Sequence, residues 1–152
     1  MKVVVSGAGK RRSKELVEAA NYFAMILMGP KLSKNIKLRI AVKSKLDVLG
    51  ECEFLDKGRS PRKFKITLRK RNENIISTLA HELVHVKQFA RNELGQLWEV
   101  ETFFGPSCVA RWQGSHWSAK QREDDYYDSP WEIEAYGREV GLYRRWEEYK
   151  NR

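Results

Sequence analysis

An α+β fold is what this sequence predicts, on three observations. Apolar residues recur at helical spacing in three separate stretches. Between the first two of these they alternate with basic residues in short strand-like runs. The second helical stretch carries His81-Glu82-Leu83-Val84-His85, a pattern with its own chemistry. A length of 152 residues, 41% hydrophobic and 11% aromatic, suits one domain with a real core.

Residues 1–12 read as a flexible basic lead-in. Val3-Val4-Val5 is β-like but short, and Gly7-Ala8-Gly9-Lys10 lacks the spacing of a phosphate-binding loop. Residues 13–152 form the domain. Ser13 caps a helix over Lys14–Met28, whose apolar face is Leu16, Ala19, Ala20, Phe23, Ile26 and Leu27; Gly29-Pro30 stops it. Ile36–Lys43 alternates strictly, and Gly50–Leu55 and Lys63–Leu68 repeat the pattern around an Asp56–Pro61 turn. They predict a small, three-stranded, mainly antiparallel sheet. Its inner face packs under the first two helices, and its solvent face carries Lys37, Arg39, Lys43, Lys63, Lys65 and Arg69.

The second helix spans residues 72–94. Asn72 or Asn74 caps it, Ile75, Ile76, Leu79, Ala80, Leu83, Val84, Phe89 and Ala90 form its stripe, and Gly95 ends it. Residues 95–128 are too long for a simple loop. Trp98, Phe103, Phe104, Trp112 and Trp117 make this segment an aromatic-rich lid over a cleft, with a short strand at Val109–Trp112. Ser129 and Pro130 then open a last helix reaching Tyr149, with Ile133, Tyr136, Val140, Leu142 or Tyr143, and Trp146 as its apolar face.

The chemistry centres on the second helix. Residues four apart share a helix face, so His81 and His85 can offer two imidazole nitrogens to one ion. Zinc accepts neutral imidazole at about 2.0–2.1 Å and takes four ligands. Glu82 sits beside the metal rather than on it, placed as general base toward a zinc-bound water. Glu132 and Glu134, two residues apart, cannot both face the ion, and His116 is the other histidine within reach of the role. Tyr126 or Tyr127 can donate to the oxyanion of a tetrahedral intermediate.

With Glu134-Ala135 on a later helix, the chain resembles the gluzincins, zinc metallopeptidases whose third ligand is the glutamate of that later Glu-Ala pair. The resemblance implies a zincin-like fold, one zinc held by His81, His85 and Glu134, and Glu82 as the catalytic base. The chain is also similar to small zincin-like proteins encoded by phages. It is more loosely similar to SprT-type domains, which usually take a third histidine where this chain has no second histidine motif. Gluzincins pair an edge strand with extended substrate, and by resemblance that strand is Lys63–Arg69, whose cations would favour acidic substrates.

Function then reads as hydrolysis of peptide bonds by a Glu-activated water on zinc. The rival is a non-enzymatic, zinc-containing protein that binds nucleic acid or a host protein. Charge motivates the rival. Residues 1–71 hold 19 Lys and Arg against 6 Asp and Glu, whereas residues 72–152 hold 10 against 14. Cys52 and Cys108 lack any paired spacing and read as free thiols. No stretch is long and apolar enough to span a bilayer or direct secretion, so a cytoplasmic monomer is expected, in the host cytoplasm for a phage protein.

Overall fold

In a computed structural model, the chain is described apart from residues 96–97, 103–104 and 121–125 and the side chains of 98–102, 105–108 and 118–120. It is α+β, with helices α1 (Lys10–Ser33), α2 (Ile75–Ala90) and α3 (Pro130–Lys150). A four-stranded mixed sheet holds β1 (Lys2–Ser6), β2 (Lys37–Lys43), β3 (Gly50–Phe54) and β4 (Lys63–Arg69) in the order β1-β2-β4-β3. A second, antiparallel sheet comprises β5 (Trp98–Thr102), β6 (Gly105–Trp112) and β7 (Ser115–Lys120).

The expected lead-in is instead part of the fold. Val3-Val4-Val5 lies in β1, which pairs in parallel with β2, Val3 beside Leu38 and Val5 beside Ile40. A parallel neighbour requires a crossover, and α1 supplies it. The turn from β1 into α1 needs glycine at position 7. Gly7 has φ 78°, and a Cβ there would sit 2.0 Å from the Val42 carbonyl oxygen. Accordingly α1 starts four residues earlier than its sequence suggests, and its chain runs on past a kink at Gly29 to Ser33. Leu16, Ala19, Ala20, Phe23 and Leu27 are buried as expected, while Ile26 is exposed.

The sheet departs from a meander at one point that matters for function. β2 pairs in parallel with β4, and β3 adds antiparallel to the far side of β4. Thus β4 is interior, and the sheet's two edge strands are β1 and β3. The strand expected to receive substrate, Lys63–Arg69, has neighbours on both sides and no free backbone to offer.

Leu38, Ile40, Val42, Phe64, Ile66 and Leu68 point inward against α1 and α2, joined by Leu79, Leu83 and Val84 of α2. Helix α2 is buried everywhere except Ser77 and Thr78, because the sheet lies below it and α1 and α3 pack along it. Asn72 organises its start, donating to Thr78 Oγ1 at 2.8 Å and accepting the Asn74 backbone N–H at 3.0 Å. Asn92, with φ 58°, ends it.

The described residues of 95–128 hold three strands, β5, β6 and β7, where one short strand at Val109–Trp112 was expected. Trp112 and Trp117 pack around Trp131 at the start of α3, with ring centroids 6.2 and 4.5 Å away. The side chains of Trp98 and Cys108, and Phe103 and Phe104 entirely, lie outside the described residues. Cys52 is a free thiol, half-buried on β3. No helix among the described residues is long and apolar enough to cross a membrane.

Candidate metal centre

Helices α2 and α3 pack side by side, and three of their side chains converge. His81 Nε2 lies 3.2 Å from Glu132 Oε2, and His85 Nε2 lies 3.3 Å from Glu132 Oε1. The two Nε2 atoms are 3.2 Å apart. All three residues are buried, and among the described residues they form the one His, Cys, Asp or Glu group compact enough to hold a metal ion.

The far side of each ring decides what its Nε2 can do. His81 Nδ1 is 2.9 Å from Glu139 Oε2, and a carboxylate only accepts, so Nδ1 carries the hydrogen. His85 Nδ1 is 2.8 Å from Gln88 Oε1. The Gln88 amide is oriented by its own Nε2, which donates to the Trp131 carbonyl at 2.9 Å and to Glu134 Oε2 at 3.0 Å. Gln88 Oε1 therefore accepts, and His85 Nδ1 donates. In both neutral rings Nε2 is left as a lone pair pointing at the other's lone pair and at a carboxylate.

Such a cluster demands positive charge. With both rings neutral, Glu132 Oε2 is buried without a hydrogen-bond donor; a protonated His81 ring would supply one across 3.2 Å. Burial acts to raise the Glu132 carboxyl, yet the two histidines outweigh it and hold it down at about 2. Burial likewise acts to lower His81 and His85, and the hydrogen bond to Glu132 outweighs it, so both titrate above the ordinary histidine value. The spacing also suits a small ion. A tetrahedral ion with bonds of 2.0–2.1 Å places its ligand atoms about 3.3–3.4 Å apart. The observed separations are 3.2 Å between the two Nε2 atoms, 3.2 Å from His81 to Glu132 Oε2 and 3.3 Å from His85 to Glu132 Oε1. His81, His85 and Glu132 are close enough together that they could hold a metal ion.

Glu134, the expected third ligand, is not in this group. It accepts from Lys87 Nζ at 2.5 Å, Gln88 Nε2 at 3.0 Å and Arg138 Nε at 2.9 Å. Lys87 is itself buried and also pairs with Glu93 at 2.7 Å. Glu134 thus touches the centre only through Gln88, whose amide it helps to aim at His85. His116 lies exposed on β7, opposite Arg111 in the sheet register, and is not in the group either.

A signal for Glu132 was present in the sequence. Glu132, Ala135, Glu139, Leu142 and Trp146 recur at alternating spacings of three and four, a single helix stripe. Four of the five are buried against the body of the protein, and Glu139 meets His81. Of the expected apolar face, Leu142 and Trp146 are buried, whereas Ile133, Tyr136 and Val140 are exposed, at 58, 46 and 54%. Glu134 was expected from its resemblance to the gluzincin Glu-Ala pair, whereas Glu132 is the carboxylate grouped with His81 and His85.

Glu82 sits beside the triangle. It is 6% exposed. Burial pushes its carboxyl up to about 7, against the pull of His85 and His81 and with help from Glu132 and Glu51. Its position is set by the edge strand. A Cβ on Gly50 would lie 2.6 Å from Thr78 Cγ2 and 2.8 Å from Glu82 Oε1, so only glycine allows β3 to run so close to the carboxylate.

Two hollows flank this point, of about 410 and 270 Å³, and both are lined by Gly50, Glu82 and Tyr126. His81, Tyr136 and Glu139 line the first; His85, Glu132 and Cys52 line the second. Of the two candidate tyrosines, Tyr126 is the one beside Glu132: burial of its hydroxyl end and then the Glu132 carboxylate raise its phenol, which stays protonated as a donor. Tyr127 lines the first hollow alone. Tyr136, expected on the apolar face of the last helix, packs edge-on against His81 at 4.5 Å between centroids.

No family model, curated protein or solved structure matches this chain.

Proposed function

We propose that this protein is a zinc-dependent metallopeptidase of the zincin type, with His81, His85 and Glu132 as its metal ligands. The observation that carries the reading is the pairing of two different carboxylates. Glu132 completes the donor triangle, while Glu82, next in sequence to His81, stands outside that triangle at the mouth of the cleft. Two imidazoles and one carboxylate, with a fourth position open, are the donor set of a hydrolytic rather than a structural zinc site. Zinc there would supply Lewis acidity to a carbonyl and lower the pKa of a water to about 7.

The chain's own residues do the rest. Glu82 accepts the proton of the attacking water at its carboxylate and returns it to the leaving amine. Tyr126 offers its hydroxyl to the carbonyl oxygen as charge develops there. Edge strand β3 positions the substrate. Leu55 N donates to Lys63 O and Arg69 N to Leu49 O, so the odd-numbered residues of this segment bond to β4. By the alternation of an antiparallel ladder, Gly50, Cys52 and Phe54 turn their backbone N–H and C=O groups to the free edge. An extended peptide adding there would pass the two hollows and Glu82. This edge carries Glu51 and Glu53, which favours basic rather than acidic peptides.

The test is Glu82→Gln assayed against a denatured basic protein such as a histone. The variant should keep its zinc, because Glu82 is no ligand, and lose hydrolysis by about 100-fold or more, the scale of general-base catalysis. An active variant, or one that loses zinc, would remove Glu82 from the role given to it.

A further inference from the structure

A second surface lies on the opposite side of the molecule. Helices α1 and α2 both pack on the inner face of the four-stranded sheet, through its buried side chains. On the outer face, Lys2, Lys37 and Lys63 occupy neighbouring positions across three adjacent strands, and Arg39 and Lys65 form the next row across β2 and β4. Lys2, Lys37, Arg39 and Lys63 are exposed, and none has an ion-pair partner among the described residues; Lys65 alone is paired, with Glu53 at 2.8 Å. A shallow hollow of about 360 Å³ runs among Lys2, Val4, Lys37, Arg39 and Lys63.

We propose that this open sheet face binds duplex nucleic acid through its phosphates, independently of the metal centre. Like charges set side by side on a sheet oppose its formation, and here they are stacked across three strands. Lysine often blunts a free strand edge. That purpose does not account for Lys37, Arg39 and Lys63, because β2 and β4 are interior strands with no edge to protect. Elsewhere in the fold, Arg12 pairs with Glu15, Lys87 with Glu93 and Glu134, and Lys150 with Glu18.

A polyanion relieves the repulsion that the sheet cannot relieve itself. No aromatic side chain projects from the outer positions of these four strands. The face therefore offers no platform for stacking unpaired bases, and the higher charge density of a duplex favours it over a single strand. Recognition of phosphates alone makes the binding indifferent to sequence.

Fluorescence anisotropy of a labelled DNA duplex of arbitrary sequence, titrated across salt, tests this. Four phosphate contacts give a slope of log affinity against log salt near −3.6, or about a 150-fold loss between about 50 and 200 mM salt. The triple variant Lys37→Gln/Arg39→Gln/Lys63→Gln should retain a slope near −0.9 and lose only about 3–4-fold over the same range. Its thermal midpoint should equal or exceed that of the parent, since repulsion has been removed. Should the triple variant fail to fold, Arg39→Gln alone should lower the slope by about 0.9. Removing the same charge from α1, as Lys10→Gln/Arg11→Gln/Lys14→Gln, should leave the slope unchanged. Glu82→Gln should bind DNA as the parent does, which separates this claim from the peptidase reading. No binding at low salt, equal loss from the α1 variant, tighter binding to single strands, or binding to anionic vesicles with none to DNA would each overturn it.

Discussion

Replacing Glu132 by alanine should cost this protein far more zinc affinity than replacing Glu134, although the two residues are two positions apart on one helix. Glu132 is 2% exposed and presents both oxygens to the histidine nitrogens, at 3.2 and 3.3 Å. Without it only two imidazole donors remain, too few for a closed set around zinc. Glu134 acts at one remove. Its loss frees one end of the Gln88 amide, which the Trp131 carbonyl still holds at 2.9 Å, so His85 keeps most of its orientation. Losses of such supporting contacts typically cost about 10–100-fold in metal affinity. The Glu132→Ala deficit should exceed that range, with His116→Ala indistinguishable from the parent. Competition against a chromophoric zinc chelator ranks all three. A Glu134→Ala deficit larger than that of Glu132→Ala would refute the donor triangle, and a large His116→Ala deficit would replace it with a three-histidine site.

Gly50→Ala should keep zinc but lose most hydrolysis. Its Cβ would meet Glu82 Oε1 at 2.8 Å and Thr78 Cγ2 at 2.6 Å; overpacking of this kind costs about 1–3 kcal/mol of stability, and a displacement of about 1 Å at the base about 100-fold in rate. Unchanged turnover would mean that Glu82 tolerates movement and is not held by the edge strand. Asp56 gives a prediction in pH. Burial acts to raise its carboxyl, but the backbone N–H groups of Arg62 and Lys63, at 2.9 Å each, and the Lys63 charge outweigh it and hold it below its ordinary 3.8. A depressed folded value means stability that is present above 3.8 and lost as pH falls through the folded value. The stability gap between parent and Asp56→Asn, from urea unfolding, should therefore be constant near neutrality and close in acid; a gap that widens in acid contradicts the assignment.

What could be read from the sequence divides along physical lines. The helix bearing His81 and His85 was legible because its apolar stripe and its ligand spacing share one period, so each confirmed the other. Strands β2, β3 and β4 were legible by alternation, but alternation reports which face a residue occupies and not which strand lies next to it. The parallel pairing of β2 with β4, and with it the identity of the edge strands, had no local signal. β1 is only five residues long and owes its place to the crossover through α1, a contact distant in sequence. On α3 the failure was of another kind. Large apolar residues at 133, 136 and 140 suggested an inward face, yet two buried polar and small residues, Glu132 and Ala135, marked the true one. A helix that buries a carboxylate cannot be oriented by hydrophobicity alone, since that carboxylate is the residue that breaks the pattern.

The most direct measurement is the metal content of protein purified without chelators, together with the zinc X-ray absorption spectrum of the same sample. One zinc per chain, with two imidazole nitrogens and carboxylate or water oxygen at about 2.0–2.1 Å, is the predicted result, and both the zinc and the imidazole signal should fall away in Glu132→Ala. Protein that contains no zinc and takes up none on addition, or a zinc bound through sulfur, would contradict the account.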